Sequence, residues 1–234
     1  MYSKNKYYTE EDINTAKELA DRFYKKQYTP VLLKSGNLKL GSNVAIWDLP
    51  SIITCKYKCK GCYAIKPERI YKSTRVSRAF KYEIIKQALK NKTKREYLQQ
   101  YINVELSRHR LLYKLPVVRL HSSGDFFSKK YLEFWFEIIN RNKDIRFYTY
   151  TKVLDNETID KYNSTFTNFN IVKSLIDNKI NYGTIEYIES IAKTLDARGE
   201  VYRICDYGIG ENSTRCMGID VQSMITMDGL DYVR

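Results

Sequence analysis

No stretch of the 234 residues is apolar for long enough to span a bilayer. The opening residues, Met1-Tyr2-Ser3-Lys4-Asn5-Lys6, lack the apolar core of a secretory signal. Cysteines number five, and an odd count argues against the disulfide framework of a secreted protein. Histidine is scarce: His109 and His121 are the two. No internal repeat, low-complexity linker or composition break marks a domain boundary. These absences exclude a membrane-spanning or disulfide-stapled chain. They point to a cytoplasmic protein whose length supports a core that needs no metal to fold.

What is present is positive charge, and it is local. The formal net charge is +13, with 40 Lys+Arg against 27 Asp+Glu. Between Lys56 and Arg95 stand 14 Lys/Arg against two acids, Glu68 and Glu83, a local net of +12. So concentrated an excess suits a polyanion, a nucleic acid or a phosphorylated substrate, with Arg75, Arg78 and Lys81 as candidate contacts. A solvated lysine-rich helix face has the same composition. The 21 tyrosines supply stacking surfaces for bases or amphipathic filler for a core.

Three of the five cysteines fall within eight residues, Cys55-x3-Cys59-x2-Cys62. Soft thiolates at this spacing suit an iron–sulfur cluster or zinc. Three ligands leave one metal position for something else, whereas structural zinc sites are closed by four. Cys205 and Cys216 flank a glycine-containing loop. They would ligate a second cluster or zinc, fill the open position at the first site, or remain thiols.

Along the chain, Thr9 caps a helix to about Lys26, with Glu10, Glu11 and Asp12 in its first turn. Val31-Leu32-Leu33 and Leu38-Lys39-Leu40 predict a hairpin around Ser35-Gly36-Asn37. Val44 to Leu49 predicts a strand stopped by Pro50, with the cysteine loop, 54–63, after it. A basic stretch holding Pro67 reads as irregular. Helices are predicted from Val76 to Asn91 and, from a Thr93-to-Glu96 capping box, to about Leu112 with a surface His109. From Pro116 strands and helices alternate. Strands are predicted at 117–121, 145–151, 169–175 and 200–205, and helices from Ser128, at 156–162 and at 184–197. The pattern predicts an α/β fold, a single parallel-stranded, partial (β/α)-barrel-like domain over 44–234 with a basic helical insertion. Residues 1–43 form an N-terminal helix-and-hairpin extension, and 206–234 a C-terminal tail.

Ligands in such folds gather at the C-terminal ends of the parallel strands. The cysteine loop, His121-Ser122-Ser123-Gly124-Asp125 and Thr149-Tyr150-Thr151-Lys152 all fall there. His121 suits proton transfer, ligation or a buried hydrogen-bonded role. Asp125 suits a binding site or a helix cap.

Placed after the first strand, C-x3-C-x2-C resembles the signature of the radical S-adenosylmethionine enzymes. The resemblance implies that Cys55, Cys59 and Cys62 hold three irons of a [4Fe–4S] cluster and that S-adenosylmethionine chelates the fourth. It implies cleavage of that cofactor to a 5′-deoxyadenosyl radical, with the electron delivered by a host reductase. Ser123, Gly124 and Asp125 would bind the methionine end, and Thr149, Thr151, Lys152 and Tyr63 would approach the cofactor. The chain departs from the pattern at Gly61, where an aromatic residue usually precedes the third cysteine, and at Asp125, where glutamate is usual. The stretch 121–127, Trp135, the run Phe147 to Lys152 and Cys62-Tyr63-Ala64 also resemble a phage-encoded, cysteine-containing protein family, which implies the host cytoplasm. Three functions follow: a radical enzyme acting on a nucleic-acid or phosphate-bearing substrate, a metal- or zinc-stabilised nucleic-acid-binding factor, and an inhibitor that grips an acidic host protein.

Overall fold

The structure, a computed structural model, describes residues 6–36, 42–56, 62–173, 202–205 and 218–221. Its elements are α1 (Glu10–Tyr24), β1 (Lys34–Ser35), β2 (Val44–Trp47), α2 (Ser51–Thr54), α3 (Ile65–Ile70), α4 (Lys72–Ala88) and α5 (Lys92–Leu112). There follow β3 (Val117–Leu120), α6 (Lys129–Arg141), β4 (Arg146–Thr151), α7 (Asn156–Thr165), β5 (Phe169–Lys173), β6 (Tyr202–Cys205) and β7 (Gly218–Val221). The predicted helix at 184–197, the strand at Leu38–Leu40, Cys59, Cys216 and most of the tail lie outside the described residues.

Five strands form one sheet in the order β1-β2-β3-β4-β5. β2 to β5 are parallel and β1 is antiparallel to β2. Each parallel crossover steps to the next position, so the handedness rule sends every crossover helix to one face. Side-chain alternation agrees. Ala45, Trp47, Val118, Leu120, Phe147, Phe169 and Ile171 join the helices in the main core. Val44, Ile46, Val117 and Tyr148 cluster on the opposite face, with Tyr150 against them. The mixed α/β, mainly parallel architecture is therefore as the strand–helix alternation predicts. Among the described residues the sheet is open rather than closed into a barrel. β6 pairs with β7 in a separate antiparallel ribbon, so the predicted 200–205 strand does not extend the parallel sheet.

Helix α4 is central and buried on several sides. Phe23 of α1 meets Phe80 of α4, and also Tyr97 and Tyr101 of α5, all within 6.0 Å between ring centroids. The Tyr24 hydroxyl donates to the Ile84 carbonyl at 2.7 Å. With β1 paired to β2, the N-terminal extension is part of the same sheet and core.

Local chemistry explains where the elements depart from their predicted bounds. The Val31–Leu33 strand does not form, because the backbone N–H groups of Leu32 and Leu33 donate instead to the Glu105 carboxylate at 2.8 and 2.7 Å. Pro67 sits in the first turn of α3, where its missing N–H costs nothing. Helix α5 is capped by Asn91, whose side chain accepts from the Lys94 N–H, two residues before the predicted capping box. His109 is buried rather than superficial, its Nε2 2.8 Å from the Asn43 carbonyl oxygen. Thr9 with Asp12, and Ser128, cap α1 and α6 as their sequences predict.

Candidate functional site

The parallel register brings the C-terminal ends of β2, β3 and β4 side by side, with Trp47 opposite Leu120 and Leu120 opposite Thr149. Each strand then leads into one of the three polar loops. The 122–125 loop lies against the segment that enters the cysteine loop. The Leu49 N–H donates to the Ser123 carbonyl at 2.9 Å, and the Ser123 hydroxyl donates to the Leu49 carbonyl at 2.9 Å. On the far side of the cysteine loop, the Tyr63 hydroxyl donates to the Ser122 carbonyl at 2.5 Å. Ser122 also hydrogen-bonds Asp48.

Gly124 is the point of closest approach, and its φ of +85° is a conformation that disfavours a side chain. A Cβ there would lie 2.5 Å from Thr54 Oγ1 and 2.8 Å from Leu49 Cβ. Thr54 immediately precedes Cys55.

Asp125 ties the second loop to the third. Its Oδ1 accepts from the Phe126 N–H at 2.8 Å and the Thr151 hydroxyl at 2.7 Å, and its Oδ2 accepts from the Lys152 N–H at 2.8 Å. Burial pushes this carboxyl up, against the pull of those donors. The Thr149 hydroxyl is turned to the Leu120 carbonyl at 3.0 Å. Ser123, Asp125, Thr149 and Thr151 are thus buried and hold the loops together. Tyr63, at 62 % exposure, and the half-buried Ser122, Gly124, Lys152, Cys55 and Cys62 form the outer rim.

His121 leaves β3 with a φ of +62° and is buried beneath the loop. Tyr131 takes an indole N–H from Trp47 at 3.0 Å and lies 2.8 Å from His121 Nε2. Thr149 Oγ1, committed to the Leu120 carbonyl, lies 3.4 Å from His121 Nδ1. The chain is consistent with a neutral ring that accepts at Nε2 and donates at Nδ1. Burial drives its pKa down to about 3, against the field of Asp48. His121 is therefore a buried hydrogen-bonded histidine. Below the ordinary value of about 6.5 the unfolded chain takes up a proton that the folded chain refuses until about pH 3. This contribution to stability is complete above pH 6.5 and falls with pH through that window, by at most about 1.4 kcal/mol per unit. Denaturant titrations between pH 6.5 and 5 should show the slope in the wild type and its reduction in His121→Gln.

The residue that unites the site is Glu68, buried at the centre of α3. It accepts from the Ser51 N–H at 2.8 Å, the Ser51 hydroxyl at 2.6 Å and Arg78 Nη1 at 2.9 Å. Ser51 starts α2, just before Cys55, and α3 begins just after Cys62, so one carboxylate clamps both flanks of the cysteine loop. Arg78 also donates to the Ala64 carbonyl at 3.0 Å and approaches Asp48 at 3.8 Å. Sequence reasoning missed Glu68, Asp48 and Ser51. The available signal was an acid retained among so many basic residues.

Arg75, Arg78 and Lys81 do not occupy the outward-facing contact positions expected of them. Arg75 pairs with Asp12 at 2.5 Å and reaches the Glu68 carbonyl at 3.0 Å. Arg78 is 7 % exposed and Lys81 1 %. The ammonium of Lys81 lies 5.2 Å from the Trp47 ring centroid, and burial lowers its pKa to about 8, against the fields of Asp48 and Glu105. The physical reason is the central position of α4, which has no broad solvent face. Exposed basic and aromatic residues lie instead on α3 and just after it, at Lys66, Arg69 and Tyr71, and at Lys72, the first residue of α4, which pairs with Glu11.

Among the described residues no three His, Cys, Asp or Glu side chains are grouped to hold a metal, and none of their helices is long and apolar enough to cross a membrane. Cys55 and Cys62 stand at the two ends of the undescribed segment that contains Cys59. Two thiols supplied by the loop's ends and a third between them fit the donor chemistry of an iron–sulfur or zinc site.

The molecule is a mixed α/β protein with a largely parallel sheet and a cysteine loop anchored at its C-terminal edge. The family model described as gene product 88 matches residues 13–214, and the chain belongs to that family. The Gene 88 protein of Mycobacterium phage L5 is 28% identical over 138 residues, covering 54% of this chain and 57% of that protein. The match thus spans little more than half of that protein's length. These findings support the phage-family resemblance and do not extend to radical chemistry. No solved structure matches the chain.

Proposed function

We propose that the protein is a phage iron–sulfur enzyme whose cluster is carried by Cys55, Cys59 and Cys62, acting on a nucleic-acid or phosphate-bearing substrate. The carrying observation is the double anchoring of the cysteine loop's flanks: Glu68 clamps both, and the 122–125 loop contacts Leu49 and Thr54 before the loop and Tyr63 after it. Such support orients metal ligands, and its loss typically costs 10–100-fold in metal affinity. A [4Fe–4S] cluster with one open iron would supply one-electron chemistry and a coordination site for S-adenosylmethionine. The chain's own residues would position and shelter it. Ser122, Gly124 and Lys152 present the polar rim, while Asp125, Thr149 and Thr151 fix that rim in place. Neutral His121 keeps charge out of the layer below. On this reading the four parallel strands, with helices on one side, are an arc of a partial (β/α) barrel.

Anaerobic reconstitution with iron and sulfide tests the cluster. About four irons and four sulfides per chain are expected, with loss of the cluster absorption in a Cys55→Ala, Cys59→Ala, Cys62→Ala variant. One tightly held zinc and no iron would instead favour a metal-stabilised nucleic-acid-binding factor. The exposed α3 face carries the substrate-class argument. Lys66→Glu with Arg69→Glu should weaken single-stranded DNA or RNA binding and flatten its dependence on salt by about 0.7 log unit for each phosphate no longer neutralised. Unchanged affinity and slope would remove α3 as the binding surface. Arg75 and Arg78 are proposed to serve that face indirectly, by fixing α3 on α4 through Glu68 and Ala64, whereas Lys81 is turned to Trp47.

A further inference from the structure

The sheet face opposite the helices carries two cations that have no carboxylate partner among the described residues. Arg119 on β3 and Arg146 on β4 both point there. Arg119 faces Tyr148 across the register, and Arg146 faces Val117, two residues before Arg119, so the two are diagonal neighbours. Both residues are half-buried. Nε of Arg119 and Nη1 of Arg146 are sealed from solvent without a hydrogen-bond partner. Among the described residues neither forms an ion pair with a carboxylate. The Arg119 guanidinium lies 5.4 Å from the Tyr150 ring centroid, and Tyr148 and Tyr150 meet edge to face at 6.1 Å.

A guanidinium cannot shed its proton to escape burial, so an unpaired, partly buried one is a standing cost. Burial works against the charge of Arg119, yet Tyr148, Tyr63, Tyr150 and Asp48 together favour it. Asp48 is the carboxylate in that field, and it is already engaged by Ser122 and approached by Arg78. No carboxylate among the described residues answers these two neighbouring cations, and an anion from outside the chain would. A carboxylate carries one charge and is satisfied by one fork. A phosphate carries up to two and offers oxygens to guanidiniums from two strands. The adjoining half-buried Tyr150 provides aromatic surface for a base.

We propose that this face of the sheet is a phosphate site, formed by Arg119 and Arg146, that takes the phosphate of a nucleotide, free or at the end of a strand. It adds a ligand class to the enzyme proposed above but rests on the sheet alone. The site replaces α4 as the place where a phosphate would meet buried arginines.

The test uses the full chain and isothermal titration with AMP, a 5′-phosphorylated hexathymidylate, the same oligonucleotide without its phosphate, inorganic phosphate and succinate. AMP, the phosphorylated oligonucleotide or both should bind, with the unphosphorylated strand and succinate at least tenfold weaker. Preference between the first two identifies the source of the phosphate. Arg119→Met and Arg146→Met should each weaken binding at least tenfold, with Arg119→Lys intermediate. Because the uncompensated charge is removed, the Met variants should unfold at the wild-type temperature or above it without ligand. Equal binding by the Met variants would overturn the proposal. So would succinate competing as well as AMP, inorganic phosphate alone binding, or unfolding of the Met variants. Iron is assayed in the same preparation: binding without a cluster supports the phosphate site while removing the enzyme reading, and a cluster without binding does the reverse.

Discussion

Glu68→Ala is expected to lower the unfolding free energy by roughly 3–5 kcal/mol, because removing one member of a buried pair strips the other of its close counter-ion, leaving Arg78 only the longer approach to Asp48 at 3.8 Å. Arg78 would lose its bond at 2.9 Å, and the Ser51 N–H and hydroxyl would lose their acceptor. For a chain of this size the thermal midpoint should fall on the order of 10 °C. The effect should reach the cysteine loop as well, since α2 and α3 are held together through this carboxylate. Reconstituted Glu68→Ala, measured below its lowered midpoint, should therefore retain less iron than wild type. A folded variant with unchanged stability and iron content would show that the clamp is not needed. The exposed pair of Lys72 with Glu11, between α4 and α1, is the contrasting control. Breaking it should cost at most about 1 kcal/mol, since solvent screens it.

Gly124→Ala should have the second largest effect. The backbone conformation costs an alanine about 1–2 kcal/mol, and the added methyl group meets Thr54 Oγ1 and Leu49 Cβ well inside van der Waals distance. Thr54 cannot easily turn away, because its hydroxyl is bound to the Pro50 carbonyl at 2.6 Å. With about 1–3 kcal/mol of overpacking, a total loss of roughly 2–5 kcal/mol is expected by denaturant titration. The strain falls one residue before Cys55, so iron retention should drop too. Thr54→Ala in the Gly124→Ala background relieves the closest approach and should recover part of both. Failure of the double variant to recover anything would place the damage in the backbone conformation and the Leu49 contact rather than at Thr54.

The parallel sheet was legible in the sequence because its signals are short-range. Val117 to Leu120 and Arg146 to Thr151 are β-rich runs, and Ser128 and Asn156 follow them with helix starts, so alternation and caps suffice. The cysteine loop and the 122–125 loop could be placed at one sheet edge by the same logic. What could not be read depends on partners distant in sequence. Leu32 and Leu33 look like a strand until Glu105, more than 70 residues on, takes their N–H groups. Arg75, Arg78 and Lys81 look like a basic face until α4 is seen enclosed by α1, α3 and α5. Asp125 looks like a site carboxylate, but its oxygens bind Thr151 and the Lys152 N–H. Glu68 and the Arg119–Arg146 pair are missed for the same reason: each draws its meaning from a neighbour on another element.

If the anchored cysteine loop holds a redox cluster with one open iron, that iron has a spectroscopic signature. Electron paramagnetic resonance of anaerobically reconstituted, dithionite-reduced protein, recorded with and without S-adenosylmethionine, is the decisive experiment. The expected result is the signal of a reduced [4Fe–4S] cluster that changes on cofactor addition and is lost when Cys59 is replaced by alanine. Protein purified without oxygen that carries stoichiometric zinc, takes up no iron and gives no signal would refute the cluster.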